Sequence, residues 1–130
     1  MNLLLDTDVL IYFLRGDPRI KSLLLLNHSF YYSYITKKEL LKKPGLSTAE
    51  AEAIMRLLNR LRQVSIDGRI ASLAGELLKK HRHRGLKIPD ALIAASSIAK
   101  NLTLVTFNRK HFRFIPGLLL FSMETLGGTG

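Results

Sequence analysis

The segment NLLLDTDVLIYFL at residues 2–14 decides the fold, because it passes from a strand pattern directly into a helix pattern. Asn2 to Leu5 is a short apolar run of strand length that stops at Asp6. Apolar residues then recur at helical spacing, at Val9, Leu10, Phe13 and Leu14. Gly16 closes this helix. The segment therefore predicts a strand joined to a helix, which is a building unit of α/β folds.

Strand and helix patterns continue to alternate through the rest of the chain. Further strands are predicted at Phe30 to Ile35, Gln63 to Ile66, Leu102 to Thr106 and Leu118 to Phe121. Helices are predicted to begin near Asp17-Pro18, Thr36, Ser47, Asp67 and Pro89. The last of these helices is apolar nearly all round and belongs in the core. We therefore expect an α/β fold, a three-layer sandwich with a mostly parallel central sheet of about five strands.

The length fits one compact domain, which we expect at residues 1–126, followed by a flexible glycine-rich tail at residues 127–130. Because cysteine is absent, disulfides and thiolate metal sites are excluded, and a reducing, cytoplasmic location is expected. No apolar run approaches the roughly 18 residues of a membrane span. The N-terminus has no basic leader, so no signal peptide is expected.

The chain is strongly basic, with 20 Lys and Arg against 10 Asp and Glu and a formal net charge of +10. Nucleic acid is the commonest polyanionic partner of such a domain. A role in solubility or an acidic protein partner is the alternative. The excess of bases also makes the acids informative, since an acid within apolar sequence then needs a reason.

Three acids are predicted to lie near strand ends. Asp6 follows the first strand, Glu39 lies in the helix after the second, and Asp90 begins the buried helix. In parallel sheets, functional sites lie outside the carboxyl ends of the strands. Each acid alone could simply stabilise a helix start. Together they would repel one another unless a cation neutralised them, and oxygen ligands favour Mg²⁺ or Mn²⁺.

A divalent ion at these acids suits the hydrolysis of phosphodiester bonds. That reaction needs a more acidic water molecule and a stabilised negative charge on the departing oxygen, and one or two metal ions provide both. The carboxylates would hold the metal and could help to accept the proton of the water. The acids and the basic charge together therefore predict a metal-dependent nuclease.

Several other polar groups adjoin the predicted site. The hydroxyls of Thr7, Thr36 and Thr106 could orient a ligand or a water, although local helix capping explains them equally well. We interpret Asp8 as a first-turn capping residue, with support of the metal site as the alternative. Thr106 is followed by Phe107 and Asn108, which also lie where a strand is expected to end.

The basic and aromatic residues allow weaker interpretations. Phosphate contacts are predicted for the run at residues 79–84 and for Lys37, Lys38, Arg109 and Lys110. His81 and His83 without a third ligand form a weak zinc pattern. For Tyr31, Tyr32 and Tyr34, a place on the core face of a strand is favoured over base stacking.

Four segments, in order, resemble the motifs of PIN-domain nucleases. They are LLDTDVLI at residues 4–11, ITKKEL at 35–40, IPDALIAA at 88–95, and LVTFNRKHF at 104–112 followed by IPGL at 115–118. The resemblance spans residues 2 to about 121 and is closest to the VapC-type toxins of bacterial and archaeal toxin–antitoxin modules. The first and third motifs are specific, whereas the second is weak alone.

The resemblance implies an endoribonuclease that depends on Mg²⁺ or Mn²⁺, with Asp6, Glu39 and Asp90 as metal ligands. It also implies a VapB-like antitoxin whose tail blocks the groove, and usually a homodimer. Two alternatives remain open. One is a PIN-fold nuclease that processes RNA without an antitoxin, and the other is a non-catalytic RNA- or protein-binding module.

One position departs from the family pattern. Many relatives carry a fourth acid near the positions of Asn108 or His111, and neither residue is acidic here. We expect Asn108 to fill this catalytic corner by orienting a water without adding charge, so a single metal ion could suffice. His111 could instead contact a phosphate of the substrate.

Overall fold

A computed structural model describes residues 1–123 and contains a parallel sheet of four strands. The strands are β1 (Asn2–Leu5), β2 (Ser29–Ser33), β3 (Arg62–Val64) and β4 (Thr103–Val105). Their order across the sheet is β3-β2-β1-β4, and every neighbouring pair is parallel. The first strand is therefore central, and its carboxyl end lies between those of β2 and β4.

Six α-helices connect and flank the strands. They are α1 (Thr7–Leu14), α2 (Pro18–Leu24), α3 (Tyr34–Leu41), α4 (Thr48–Leu58), α5 (Gly68–His81) and α6 (Ile88–Lys100). Five of them begin with a side-chain oxygen that accepts a backbone N–H. These caps are Asp6, Asp17, Ser33, Ser47 and Asp67. Two short 3-10 turns, Arg82–Arg84 and Arg109–His111, lie before α6 and after β4.

The hydrophobic core is divided by the sheet into two layers. Leu4 belongs to a cluster that contains the apolar faces of α5 and α6, whereas Leu3 and Leu5 belong to a cluster formed with α1, α2 and α4. This follows from the alternation of side chains along a strand, and all three leucines are fully buried. The prediction of a three-layer α/β sandwich is confirmed.

Three details differ from the sequence-based expectation. The fifth strand, predicted at residues 118–121, is reduced to an isolated parallel bridge between Leu104 and Leu120. Strand β2 ends at Ser33, because the hydroxyl of Ser33 caps α3, which begins at Tyr34 and not at Thr36.

The predicted tail at residues 127–130 lies outside the described residues, so the domain boundary stays a prediction. Within residues 1–123, no helix is long and apolar enough to cross a membrane.

Two adjacent serines of α6 differ in their hydrogen bonding and allow a matched test of the core. Both are buried, but Ser96 donates to the carbonyl of Leu92 at 2.7 Å, whereas the hydroxyl of Ser97 has no partner among residues 1–123. A buried hydroxyl without a partner is destabilising, and alanine also favours the helix. We expect Ser97→Ala to raise the free energy of unfolding by about 1 kcal/mol, measured by urea denaturation.

Ser96→Ala is the control, because it removes a hydroxyl that is already satisfied. It should gain less than Ser97→Ala. Equal gains at the two positions, or a loss at Ser97, would show that the Ser97 hydroxyl has a partner in solution.

Candidate active site

The site lies at the carboxyl edge of the sheet and is built around Asp6, which is only 5% exposed. Its Oδ1 accepts the backbone N–H of Thr7 at 2.8 Å, and its Oδ2 accepts the hydroxyl of Thr106 at 2.7 Å. The Thr106 oxygen in turn accepts the backbone N–H of Asn108 at 3.0 Å. Asp6 therefore caps α1 and, through its hydrogen bond with Thr106, also holds the segment that follows β4. The capping and site interpretations of this residue both apply.

Glu39 reaches the same edge from α3, where its side chain is exposed. Its Oε1 accepts the hydroxyl of Thr7 at 2.8 Å. The Thr7 oxygen lies 2.9 Å from the hydroxyl oxygen of Thr36, so Thr36 donates while Thr7 donates to the acid. These two threonines, predicted as possible ligand contacts, thus link α1 to α3 and orient Glu39.

Asp90 lies in the first turn of α6, with 24% of its side chain exposed. Its Oδ2 is 3.3 Å from Nδ1 of His111, which comes from the 3-10 turn after β4. Burial raises the pKa of the Asp90 carboxyl, the His111 ring opposes that rise, and the negative charge of Glu39 adds to it. The charge of Lys87 also acts to lower this pKa.

Burial and neighbouring charge act on two further carboxyls. Burial raises the pKa of Asp6, and the negative charge of Asp90 contributes to that rise, against the hydrogen bonds from Thr106 and Thr7. The pKa of Asp8 is raised further, to about 7, by burial and by the negative charge of Asp6. Asp6, Asp90 and Glu39, from three remote segments, are thus close enough for their charges to interact.

Asp8 is the residue whose place the sequence-based interpretation missed. Its Oδ2 accepts the backbone N–H of Phe107 at 3.1 Å, so it holds the chain after β4, while α1 is capped by Asp6. The other carboxylate oxygen, Oδ1, is buried and has no hydrogen-bond partner in the part of the chain that the structure describes. The Phe107 ring is itself packed edge-on against Tyr12, with the guanidinium of Arg19 at 4.5 Å from its centre. The segment that presents Asn108 is therefore fixed at several points.

The basic side chains predicted to contact phosphate differ in their exposure and in their partners. Arg109 donates to the carbonyl of Phe121 at 3.0 Å, which gives it a structural role. The Lys38 ammonium lies 5.9 Å from the centre of the Tyr34 ring, and both side chains are exposed. Lys110 is exposed on the turn that carries His111, and Lys37 is half-buried. The structure therefore leaves Lys38 and Lys110 accessible to a ligand.

The carboxylate oxygens of the three acids at this edge suit a hard cation. In residues 1–123, however, no three acidic or histidine side chains already converge in the way a bound metal ion would require. Each acid has its own partner instead: Asp6 is bonded to Thr106, Glu39 to Thr7 and Asp90 to His111. The weak zinc pattern at His81 and His83 likewise forms no such cluster in this part of the chain.

A cavity of about 490 Å³ opens beside Thr7 and Glu39, between α1, α3 and α4. Its walls are mainly apolar, and they include Ile11, Leu40, Leu46, Ala53 and Ile54. The side chains of Arg15, Lys43 and Glu50 add charge to the same cavity. The cavity thus joins an apolar groove to one of the acids of the site.

Comparison with known proteins places this architecture. A model of the PIN domain matches residues 3–117. The chain is 32% identical over 121 residues to ribonuclease VapC19 of Mycobacterium tuberculosis, covering 88% of this chain and 95% of that protein. It is 33% identical over 126 residues to ribonuclease VapC2 of Rickettsia felis, with coverages of 90% and 94%. Among solved structures, that of VapBC2 from Rickettsia felis bound to a promoter DNA fragment is similar, with 30% identity, a TM-score of 0.74 and coverages of 93% and 98%.

The raised pKa of Asp8 predicts how stability changes with pH in metal-free buffer. Because the folded state holds this proton more tightly than the unfolded chain, the stabilisation is complete below about pH 4 and is lost as pH rises through about 7. Asp8→Asn removes the ionisation and keeps an acceptor for Phe107. We expect it to raise the free energy of unfolding at pH 8 by about 1 kcal/mol, with little gain at pH 4.

Asp17→Asn is the control for this measurement, because Arg19 lowers the pKa of the exposed Asp17 carboxyl. It should give no gain at pH 8. The account of Asp8 is wrong if thermal unfolding shows the same pH dependence for Asp8→Asn and for the parent protein.

Proposed function

The chain belongs to the PIN-domain family, and we propose that it is an endoribonuclease that hydrolyses RNA phosphodiester bonds as the toxin of a VapBC-type pair. The observation that carries the proposal is the meeting of Asp6, Glu39 and Asp90 at the carboxyl edge of the sheet, where the charge of one acid raises the pKa of another. The similar proteins named as VapC ribonucleases support the same activity.

The proposed cofactor is Mg²⁺ or Mn²⁺, with Asp6, Glu39 and Asp90 as ligands. Three features support this choice: an all-oxygen donor set, mutual repulsion that a cation would relieve, and the unpartnered buried oxygen of Asp8. A bound ion would compete with Thr7 for Glu39 and with His111 for Asp90. When bound, the cation would make a water more acidic and stabilise negative charge on the phosphate.

The protein's own groups have distinct parts in this proposal. Thr106 and Thr7 hold the Asp6 carboxylate in one orientation, which limits its loss of freedom on binding. The half-buried Asp90 carboxylate at the same edge would accept the proton of the attacking water. Asn108, fixed by its N–H to Thr106, would orient that water.

An antitoxin partner fits the cavity beside Glu39. The apolar walls suit the buried side of a peptide segment, and a segment lying there would cover an acid of the site. In the similar structure from Rickettsia felis, the assembly is VapBC2. We therefore propose a VapB-like partner for this groove, a homodimer as the functional unit and action in the cytoplasm.

Two substitutions test the catalytic part of the proposal. Asp6→Asn and Asp90→Asn keep the size of the side chain but remove its charge, so each should lower the rate of RNA cleavage by at least about 100-fold. The assay uses the chain purified without its partner and a labelled RNA, with Mg²⁺ or Mn²⁺. Chelation by EDTA should abolish the cleavage by the parent.

Glu52→Gln and Glu76→Gln are matched controls, because both are exposed acids on α4 and α5, away from the site. They should cleave like the parent. The assignment fails if Asp6→Asn and Asp90→Asn also cleave like the parent. RNA binding without cleavage and without any effect of divalent ions would favour the non-catalytic binding module.

A substitution in the groove tests the partner. Ala53 is a half-buried residue of the cavity wall, so Ala53→Arg would occupy the space proposed for the antitoxin tail. We expect this variant to cleave RNA normally but to resist inhibition by the protein of the neighbouring small reading frame. Normal inhibition of Ala53→Arg would contradict the use of this groove, and the absence of such a reading frame would contradict the toxin assignment.

A further inference from the structure

Basic residues surround Asp90 on the side of the molecule formed by α5, α6 and β4. From residue 77 to residue 123 the chain has nine Lys and Arg but a single acid, Asp90, whereas residues 1–76 have eleven bases and eight acids. The positive charge of the protein is thus concentrated in residues 77–123, and this part of the chain contributes one of the proposed metal ligands.

Two segments within residues 77–123 meet beside Asp90. The Arg84 guanidinium lies 5.4 Å from the centre of the Phe114 ring, which joins the turn before α6 to the turn after β4. Lys87 directly precedes α6 and its charge acts on Asp90, while His111 contacts the Asp90 carboxylate. We name the exposed bases of these two segments the basic rim, leaving out Arg109 because it donates to the carbonyl of Phe121, and they are Arg82, Arg84, Lys87, Lys110 and Arg113.

No ion pair within the described residues neutralises the charges of the basic rim. Among residues 1–123, the ion pairs of Lys and Arg with acids involve Arg19, Lys43 and Lys100, and none of these belongs to the rim. Exposed bases held together without acids repel one another, so such a surface attracts a polyanion. The rim therefore has the charge of a binding surface for phosphates.

The acids of the site create a need for such a surface. Asp6, Asp8, Glu39 and Asp90 place up to four negative charges where a phosphodiester must bind, and they repel an approaching polyanion. Attraction from outside the site must offset this repulsion. Lys87, whose charge acts on Asp90, and the other bases of the rim can supply this attraction.

The chemistry of the rim favours the backbone of a nucleic acid over its bases. Phe112 is fully buried, and the ring of Phe114 lies beside His81 and Arg84, so neither aromatic side chain is free to stack on a nucleobase. The accessible groups are charged donors, which contact phosphates without reading sequence.

We propose that the basic rim binds the sugar–phosphate backbone of the substrate RNA next to the scissile bond, on the Asp90 side of the site. This inference rests on the proposed function, and it assigns the affinity for RNA to a surface that is separate from the acids. Binding through the rim then sets KM, whereas the acids set kcat.

Salt-dependent RNA binding tests the proposal. The probe is a fluorescent 2′-O-methyl RNA of about 12 nucleotides, which resists cleavage, in EDTA and at about 50 to 200 mM salt. The variant Arg82→Ala/Lys110→Ala/Arg113→Ala, which spares Lys87 because its charge acts on Asp90, should bind at least about tenfold more weakly than the parent. The slope of log affinity against log salt should fall by about 2, since each lost phosphate contact removes about 0.7.

A variant with the same change of charge elsewhere is the control. Lys21→Ala/Arg56→Ala/Arg62→Ala removes three exposed bases on α2, α4 and β3, and it should bind RNA within about threefold of the parent. An equal loss in the two triple variants would overturn the proposal, because net charge alone would then explain the binding. Unchanged RNA binding by the rim variant, with loss of antitoxin binding instead, would also overturn it in favour of an acidic protein partner.

Cleavage assays keep this inference distinct from the proposed function. If the parent cleaves RNA, the rim variant should have a raised KM and a nearly unchanged kcat, and a loss confined to kcat would contradict the rim. If the parent binds RNA through the rim but cleaves none under any divalent ion, the proposed function fails while the assignment of the binding surface stands.

Discussion

The two hydrogen bonds of the Asp6 carboxylate connect the parts of the molecule on which the site depends. One oxygen caps α1, and the other accepts the hydroxyl of Thr106 at the end of β4. The backbone N–H of Asp6 also donates to the carbonyl of Val105 at 2.9 Å, so β1 and β4 end at the same level. The backbone N–H of Thr7 donates to Asp6, and the hydroxyl of Thr7 donates to Glu39, so hydrogen bonds connect Asp6 to Glu39.

The same arrangement creates an electrostatic conflict. Burial raises the pKa of Asp6, Asp8 and Asp90, and the negative charge of a neighbouring acid also acts to raise each of these pKa values. A fold selected only for stability would gain by replacing one of these acids with a neutral residue. The concentration of carboxylates is therefore best explained by a positively charged ligand, and the surrounding excess of bases by a negatively charged one.

The sequence alone predicts a mostly parallel sheet and the meeting of Asp6, Glu39 and Asp90 at one edge, because strand ends in a parallel sheet share that edge. Other features depend on contacts that no local pattern encodes. Asp8 was interpreted within its own helix, but its partner is Phe107, about a hundred residues away in the chain. The tyrosines predicted to lie on the core face of a strand also differ from one another. Tyr32 is buried, whereas Tyr34 is exposed because the Ser33 cap ends the strand before it.

The central claim is that Asp6, Glu39 and Asp90 form one cation-binding group. Carbon-detected NMR of the side-chain carboxyl groups, recorded across pH with and without Mg²⁺, tests it most directly. The account predicts that Mg²⁺ shifts the resonances of these three residues and lowers the pKa of Asp6 and Asp90, while exposed acids such as Glu52 stay unchanged. Identical titration curves with and without Mg²⁺ would contradict it.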